Sequence, residues 1–357
     1  MHAHRPHSPL RLRKVIPAII APLLPLVIAA AGVVSGAAQQ QARSKKAEVR
    51  IGPGEMDGCG PNPISVSGRE CLRGKVMTIT GEQRGMAMRG GRAVEGELFS
   101  TVKVNYDERG NRTLMVGSGP AGLPDRRDVY SYDTQGRMIG VEYYEAGRDA
   151  PKGVTAYSYD ERGNRVKMDS TRTEPDARVV QEFSYDAEGR EVGGSVSQLT
   201  AGVWQTRTHK TVVTIEGKTT HSRSYSSDGV LRGRVTTLKD DRGNTLGEEL
   251  YRVAAGGEEQ LRWKVTYRYD EKGFLREVFY HKADDWLGAR AVYEYDERGN
   301  VTSLKRYHGD GTFAVGGHRE YEYDAAGNWV KRITSHWLSE NGPAQPYRVE
   351  RRHITYY

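Results

Sequence analysis

One short phrase, a tyrosine–aspartate pair followed by two variable residues and a glycine, returns nine times in this 357-residue chain. The clearest copies read YDERGN and lie at Tyr106–Asn111, Tyr159–Asn164 and Tyr295–Asn300. Successive phrase glycines are 26 to 30 residues apart. A self-similar period of this size indicates one supersecondary unit stacked many times. It therefore constrains the architecture more than any other feature of the sequence.

Each phrase carries the residues that a tight turn requires. Asp at the first corner of a type I turn accepts main-chain hydrogen bonds, and Gly at the last corner adopts a positive φ without a clash. We therefore assign structural turn roles to the aspartates and glycines of the seven complete copies. These residues are Asp107, Gly110, Asp133, Gly136, Asp160, Gly163, Asp186, Gly189, Asp270, Gly273, Asp296, Gly299, Asp324 and Gly327.

The residues that precede each turn predict a β-strand. Aromatic residues stand two apart, as in Tyr267/Tyr269 and Tyr293/Tyr295, which places each pair on one face of a strand. Further turn signals, such as Gly309-Asp310-Gly311, fall midway between phrases. The chain is therefore predicted to be all-β, with nine antiparallel β-hairpin repeats and about 18 strands. An open sheet of that size twists strongly, so we expect a curled or spiralling sheet with the tyrosines inside.

The first 38 residues have the order of a secretory signal peptide. Arg5, Arg11, Arg13 and Lys14 precede an uncharged run at Val15–Val34, and small residues follow it. The alternative is an uncleaved membrane anchor, because an apolar run of 20 residues can span a bilayer. We expect an exported protein, periplasmic or extracellular, that contacts a membrane only through this leader if it is retained.

A disulfide-bearing cap is expected between the leader and the repeats. Cys59 and Cys71 are the two cysteines of the chain, and in an exported protein such a pair favours a disulfide. A metal site is the weaker alternative, because two ligands do not complete one. The predicted domains are a signal peptide at 1–38, a linker and amino-terminal cap at 39–98, the repeat array at 99–334 and a closing strand at 335–357.

Charge and motifs indicate no enzyme, cofactor, metal or nucleic-acid partner. The net charge is +7, but four of the 53 basic residues lie in the leader, which leaves a nearly balanced and interspersed surface. After the leader, no histidine pair, nucleophile motif or phosphate loop is recognisable. The phrase aspartates would lie in a row, yet two strand spacings separate them by roughly 9 to 10 Å. That separation is too large for shared calcium ligands, which bind at about 2.3 to 2.6 Å.

The tryptophans are the candidate ligand-binding residues. All five lie in the second half of the chain, at Trp204, Trp263, Trp286, Trp329 and Trp337. An exposed Trp beside Tyr can stack on a sugar ring or anchor a protein partner. The alternative is that these side chains fill a wider end of the curled sheet.

The phrase, with Asn or Arg after its glycine, resembles the tyrosine–aspartate (YD) repeat of the rearrangement-hotspot (RHS) family. The similarity covers Val102 to about Thr334. It implies a β-strip wound into a spiral, as in the hollow shells of secreted toxins and in teneurin-like surface proteins, some of them carbohydrate-binding. The proline-containing motif D-P-x-G-x-x-G that closes the large toxin shells is absent. The resemblance therefore implies the fold and an envelope or extracellular setting, not toxin delivery.

The leading functional hypothesis is a non-enzymatic, exported envelope or surface protein that binds a protein or a carbohydrate through its curved sheet. One alternative is a periplasmic immunity or inhibitor protein that neutralises a bacterial toxin. A further alternative is a glycan hydrolase that uses paired acids on the concave face.

Overall fold

The computed structural model describes residues 72–357, except 174–175, 201, 255 and 282–286. The signal peptide, the linker and the Cys59–Cys71 disulfide predicted from the sequence lie outside these residues. Within the described part all regular structure is β, and the strands are antiparallel. No helix in this part is long and apolar enough to cross a membrane.

Twenty strands follow one another in the described part of the chain. Their bounds are β1 Val76–Arg89, β2 Arg92–Tyr106, β3 Arg112–Ser118, β4 Pro124–Tyr132, β5 Met138–Glu145, β6 Gly153–Tyr159, β7 Arg165–Thr173, β8 Asp176–Tyr185, β9 Glu191–Thr200, β10 Val203–Glu216, β11 Thr219–Ser226, β12 Leu231–Lys239, β13 Thr245–Val253, β14 Glu259–Tyr269, β15 Leu275–His281, β16 Leu287–Tyr295, β17 Val301–His308, β18 Phe313–Tyr323, β19 Trp329–Trp337 and β20 Gln345–Tyr356.

The sheet closes on itself, which corrects the expectation of an open, curled or spiralling sheet. Each strand pairs with its neighbours in sequence, and β1 also pairs with β20. In this seam Ile79 lies opposite Ile354 and Thr80 opposite His353. Pairing β1 with β20 supplies hydrogen-bond partners to the two edges that an open array would leave exposed. The molecule is therefore a closed antiparallel barrel of 20 strands.

The segment predicted as a cap contributes to this ring. β1 and the first seven of the 15 residues of β2 lie within residues 39–98, yet these strands form a hairpin that pairs with β20 on one side and β3 on the other. The segment predicted as a closing strand, 335–357, holds the end of β19 and all of β20. The two phrase copies that lack the tyrosine still turn as hairpins, between β10 and β11 and between β12 and β13.

The two faces of the sheet differ in burial. Val278 on β15 and Ala291 on β16 lie opposite each other and are 0% and 1% exposed. Glu294 and Glu320 point to the other side and are exposed. Side chains converge on the concave side of a closed ring, so the face that carries Val278 and Ala291 is the inner face. A ring of 20 strands is also wider than barrels of about 16 strands, which already enclose a channel.

The inner face holds two apolar clusters. The larger one is built on β14 to β17 from Val265, Leu275, Val278, Ala291 and Tyr293. The smaller one lies at the seam and is built from Val76, Ile79 and Val104. The first cluster therefore stabilises the phrase repeats, and the second stabilises the closure of the ring.

Candidate functional site

The aspartate and glycine of each complete phrase form hydrogen bonds within their own turn. In the copy at Asp160, the amide of Gly163 donates to the Asp160 carbonyl (3.0 Å) and the amide of Asn164 donates to Asp160 Oδ1 (2.7 Å). Gly163 has φ +84°, in the region that favours glycine. Burial tends to raise the pKa of Asp160, but hydrogen bonds from Asn164 and Arg162 hold it below its ordinary value. The carboxylate is therefore satisfied within the turn.

These turns give no metal centre in the described part of the chain. No group of three or more His, Cys, Asp or Glu side chains there could hold a metal ion. A shallow cleft of about 250 Å³ lies between two phrase turns. Its acidic lining includes Asp240 and Asp270, which accept main-chain hydrogen bonds of their own turns. The cleft is therefore a by-product of neighbouring turns.

The phrase tyrosines connect each hairpin to the previous one. Their hydroxyl groups donate to the main-chain carbonyl of the residue that begins the second strand of the preceding phrase hairpin. The observed pairs are Tyr132 with Arg112, Tyr159 with Met138, Tyr185 with Arg165, Tyr269 with Thr245 and Tyr295 with Leu275, at 2.7 to 2.9 Å. The last phrase differs, because Tyr321 bonds Val301 and Tyr323 bonds Asp296. These hydroxyl groups are therefore structural.

The four tryptophans that the structure describes do not form one site. Trp263 packs against the inner apolar cluster. Trp329 also lies on the inner face, where the guanidinium groups of Arg352 and Arg332 stack at 3.3 and 4.6 Å from its ring centre. Trp204 and Trp337 lie on the outer face, Trp204 being 46% exposed. Trp286, the fifth tryptophan predicted to bind a ligand, lies outside the described residues.

Acidic side chains on the inner face are separated and individually partnered. Arg126 pairs with buried Asp128 at 2.7 Å, and His209 Nε2 lies 3.5 Å from Glu191. The Tyr267 hydroxyl donates to Glu248 at 3.0 Å. Burial raises the pKa of Glu248 above its ordinary value, an effect that the Tyr267 hydrogen bond and Lys239 only partly offset. No two of these acids share a partner, and these three do not form the kind of carboxylate pair that glycoside hydrolysis uses.

Arginines of the inner face form a basic surface that the sequence did not indicate. Arg306 on β17 lies opposite Ala291 of the apolar cluster. Arg319 on β18 shares that face, because Val315 lies opposite Arg306 and four residues preserve the orientation. Both charges lower the pKa of Tyr293, which burial nevertheless raises to about 12. An aromatic surface with fixed cations can bind sugars and anions, but the sequence carries no signal that separates these arginines from outward ones.

No family model matches the chain, and no curated protein matches it. Among solved structures, a porin-like protein from Bacteroides uniformis is 13% identical over 78% of this chain and 96% of its own, with a TM-score of 0.31. A porin-like protein from Bacteroides vulgatus is 12% identical over 79% and 98%, with a TM-score of 0.27. The TcdB2–TccC3 structure is 14% identical over 78% of this chain and 19% of its own, with a TM-score of 0.21.

Proposed function

We propose that this protein is an exported, non-enzymatic, carbohydrate-binding protein of the bacterial cell envelope, with its ligand bound on the inner face of the barrel. The observation that carries the proposal is the row of inward aromatic side chains on β14 to β16, which includes Trp263, Tyr267, Tyr280 and Tyr293. Flat rings with one polar edge suit a ligand that is apolar on its faces and hydroxylated at its rim. The envelope setting rests on the leader sequence.

The width of the ring supports an internal ligand. Small barrels are filled by their own side chains, whereas large ones enclose a cavity or channel. In the described part of this barrel, the strand pairs with extensive contacts are neighbours around the ring. Inward rings such as Tyr280 are half-buried by those neighbours and still accessible. The concave surface therefore combines a wide interior with aromatic side chains that a ligand can contact, which are usual properties of a binding site.

A matched pair of tyrosine variants tests which face binds. Tyr280 faces inward on β15, and Tyr307 faces outward on β17. Calorimetry measures the binding of the purified full chain to a panel of bacterial envelope polysaccharides. The same measurement is then made on the Tyr280→Leu and Tyr307→Leu variants. The proposal expects Tyr280→Leu to weaken binding by roughly tenfold, since truncating a well-packed aromatic contact costs 1 kcal/mol or more. It expects Tyr307→Leu to bind as the wild type does.

Two outcomes would contradict the proposal. Binding that is lost in Tyr307→Leu and kept in Tyr280→Leu would place the ligand on the outer face. Absence of binding to every polysaccharide would remove carbohydrate as the ligand class. Melting temperatures of both variants show whether a loss of binding comes from a loss of fold.

A further inference from the structure

Five arginines lie together on the inner face of β17 to β20. Register fixes their common orientation, because residues opposite each other in an antiparallel pair share a face. Arg306 lies opposite inward Ala291. Arg319 lies opposite Thr334, and Arg332 lies opposite Glu350. Alternation along β20 then adds two more on the same side as Glu350. The arginine patch consists of Arg306, Arg319, Arg332, Arg348 and Arg352.

The arginine patch contains more positive charges than the inner face of these strands supplies negative ones. Glu350 is the one acid among the described inward positions of these four strands. Arg332 Nη2 lies 2.6 Å from it and Arg348 Nε 3.7 Å, so both cations share a single carboxylate. Arg306 and Arg319 make no ion pair with any residue that the structure describes. Cations without a counter-ion on a concave surface attract anions.

The outward side of the same strands is arranged differently. Lys331 Nζ lies 2.5 Å from Glu322, and Arg351 Nη1 lies 2.7 Å from Glu95 across the seam. Both of these cations are paired with acids of neighbouring strands, whereas outward Lys305 lies over the Trp337 ring. The larger excess of positive charge therefore lies on the inner face of the described strands.

The Trp329 ring orients two of the five guanidinium groups of the patch. Arg352 lies 3.3 Å from the centre of the Trp329 ring, and Arg332 lies 4.6 Å from it. Stacking holds a guanidinium flat, and its N–H groups then point sideways from the ring. Arginine in this state presents two parallel donors that match the two oxygens of a carboxylate. Lysine, a point charge, would not give this geometry.

From these contacts we propose that the barrel binds acidic polysaccharide, with carboxylate groups of the glycan on the arginine patch and a sugar ring on the adjacent Tyr280. The inference rests on the proposed function and names the chemical class of its ligand. Tyr280 lies opposite Ala289 on β16, and Ala289 lies opposite His308 on β17. Arg306 stands two residues from His308 on the same face, so the aromatic surface adjoins the patch. A run of acidic peptide could also pair with the arginines, but it would leave the aromatic surface unused.

The test compares ligands of equal length and different charge. The full chain is titrated with hexagalacturonate, with maltohexaose as the neutral glycan and with hexaglutamate as the acidic peptide. We expect hexagalacturonate to bind at least tenfold more tightly than the other two, and its affinity to fall as salt rises. Equal affinity for both glycans would overturn the acidic class and leave carbohydrate binding intact. Tighter binding of hexaglutamate would overturn it in favour of a peptide, and no binding at all would overturn both proposals.

A double variant assigns the charge preference to the patch. Arg306→Gln with Arg319→Gln removes the two unpaired cations and strands no acid. Each lost charged hydrogen bond should weaken hexagalacturonate binding by about tenfold. The control is Lys305→Gln, which removes one charge from the adjacent, outward position of β17. Unchanged binding in the folded double variant, or equal losses in the control, would overturn the role of the patch.

Discussion

The hydroxyl of Tyr295 on β16 donates to the main-chain carbonyl of Leu275 on β15, 2.7 Å away, and so ties one phrase hairpin to the one before it. The same bond recurs in four earlier phrases. Because the carbonyl is at the start of a strand next to a turn, the bond fixes the ends of two hairpins to each other. The phrase tyrosine is thus the link between repeats, and the aspartate and glycine form the turn within each.

Removing this hydroxyl should destabilise the barrel. Tyr295→Phe deletes the donor and leaves a part-buried carbonyl without its partner, which costs about 1 kcal/mol. We expect the midpoint of urea unfolding, measured by circular dichroism, to be lower in the variant than in the wild type. Tyr307→Phe is the control, because its hydroxyl bonds Glu340 in an exposed pair and should matter less. Equal effects of the two substitutions would mean that the recurrent bond does not stabilise the repeats.

The phrase glycine should be sensitive to any side chain. Gly163 has φ +84°, which costs an L-residue roughly 1 to 2 kcal/mol. Gly163→Ala should therefore lower the melting temperature. Gly256→Ala is the matched control, since Gly256 is a turn glycine without a positive φ and with open space around its Cβ position. A melting temperature that is unchanged in Gly163→Ala, or lowered as much in the control, would contradict the turn assignment.

The buried carboxyl of Glu248 should make stability depend on pH. Its pKa is raised by burial, so between the unfolded and folded pKa values the fold keeps a proton that the unfolded chain has lost. Stability from this group is present at acid pH and is lost as pH rises through the folded pKa. Glu248→Gln stays neutral and can still accept from Tyr267.

We therefore expect Glu248→Gln to be more stable than the wild type at pH 8, and the difference to shrink at pH 5. The difference in stability between the variant and the wild type is measured from urea midpoints at the two pH values. Glu249→Gln on the adjacent, outward position of β13 is the control and should show no such trend. A variant that is less stable at pH 8 would show that the ionised carboxylate contributes to the fold.

The hairpins could be predicted from the sequence because their determinants are local. Asp and Gly in each phrase specify the turn, and the alternating tyrosines specify the inward side. Closure could not be predicted in the same way. It depends on the pairing of Ile79 with Ile354, two residues far apart in strands that lack the phrase. The sequence shows no signal for that contact, and accumulated twist decides whether the two ends meet.

The candidate site could be predicted from the sequence only in part, for a related reason. A register shift at eight of the nine phrases, such as the one between Glu322 and Tyr323 opposite Trp329, changes which residues face inward beyond the turn. Simple alternation therefore fails across those eight phrases. Consequently the sequence could not separate inward Trp263 and Trp329 from outward Trp204 and Trp337, and it gave the inward arginines no special position.

Closure of the ring is the central claim, and the seam between β1 and β20 tests it most directly. Thr80 and His353 lie opposite each other there, and both are exposed. Opposite Cα atoms in an antiparallel pair are about 4.5 to 5.5 Å apart, within disulfide range. The variant Thr80→Cys/His353→Cys is made with Cys59→Ser and Cys71→Ser. The control, Glu322→Cys/Lys331→Cys in that background, joins strands that pair in an open or a closed sheet.

Mild oxidation is followed by intact mass and by mobility on a non-reducing gel. A closed ring predicts that both cysteine pairs form a disulfide within one chain to a similar extent. An open or spiralling sheet would leave Thr80→Cys and His353→Cys as free thiols while the control pair is oxidised, and that result would contradict the barrel.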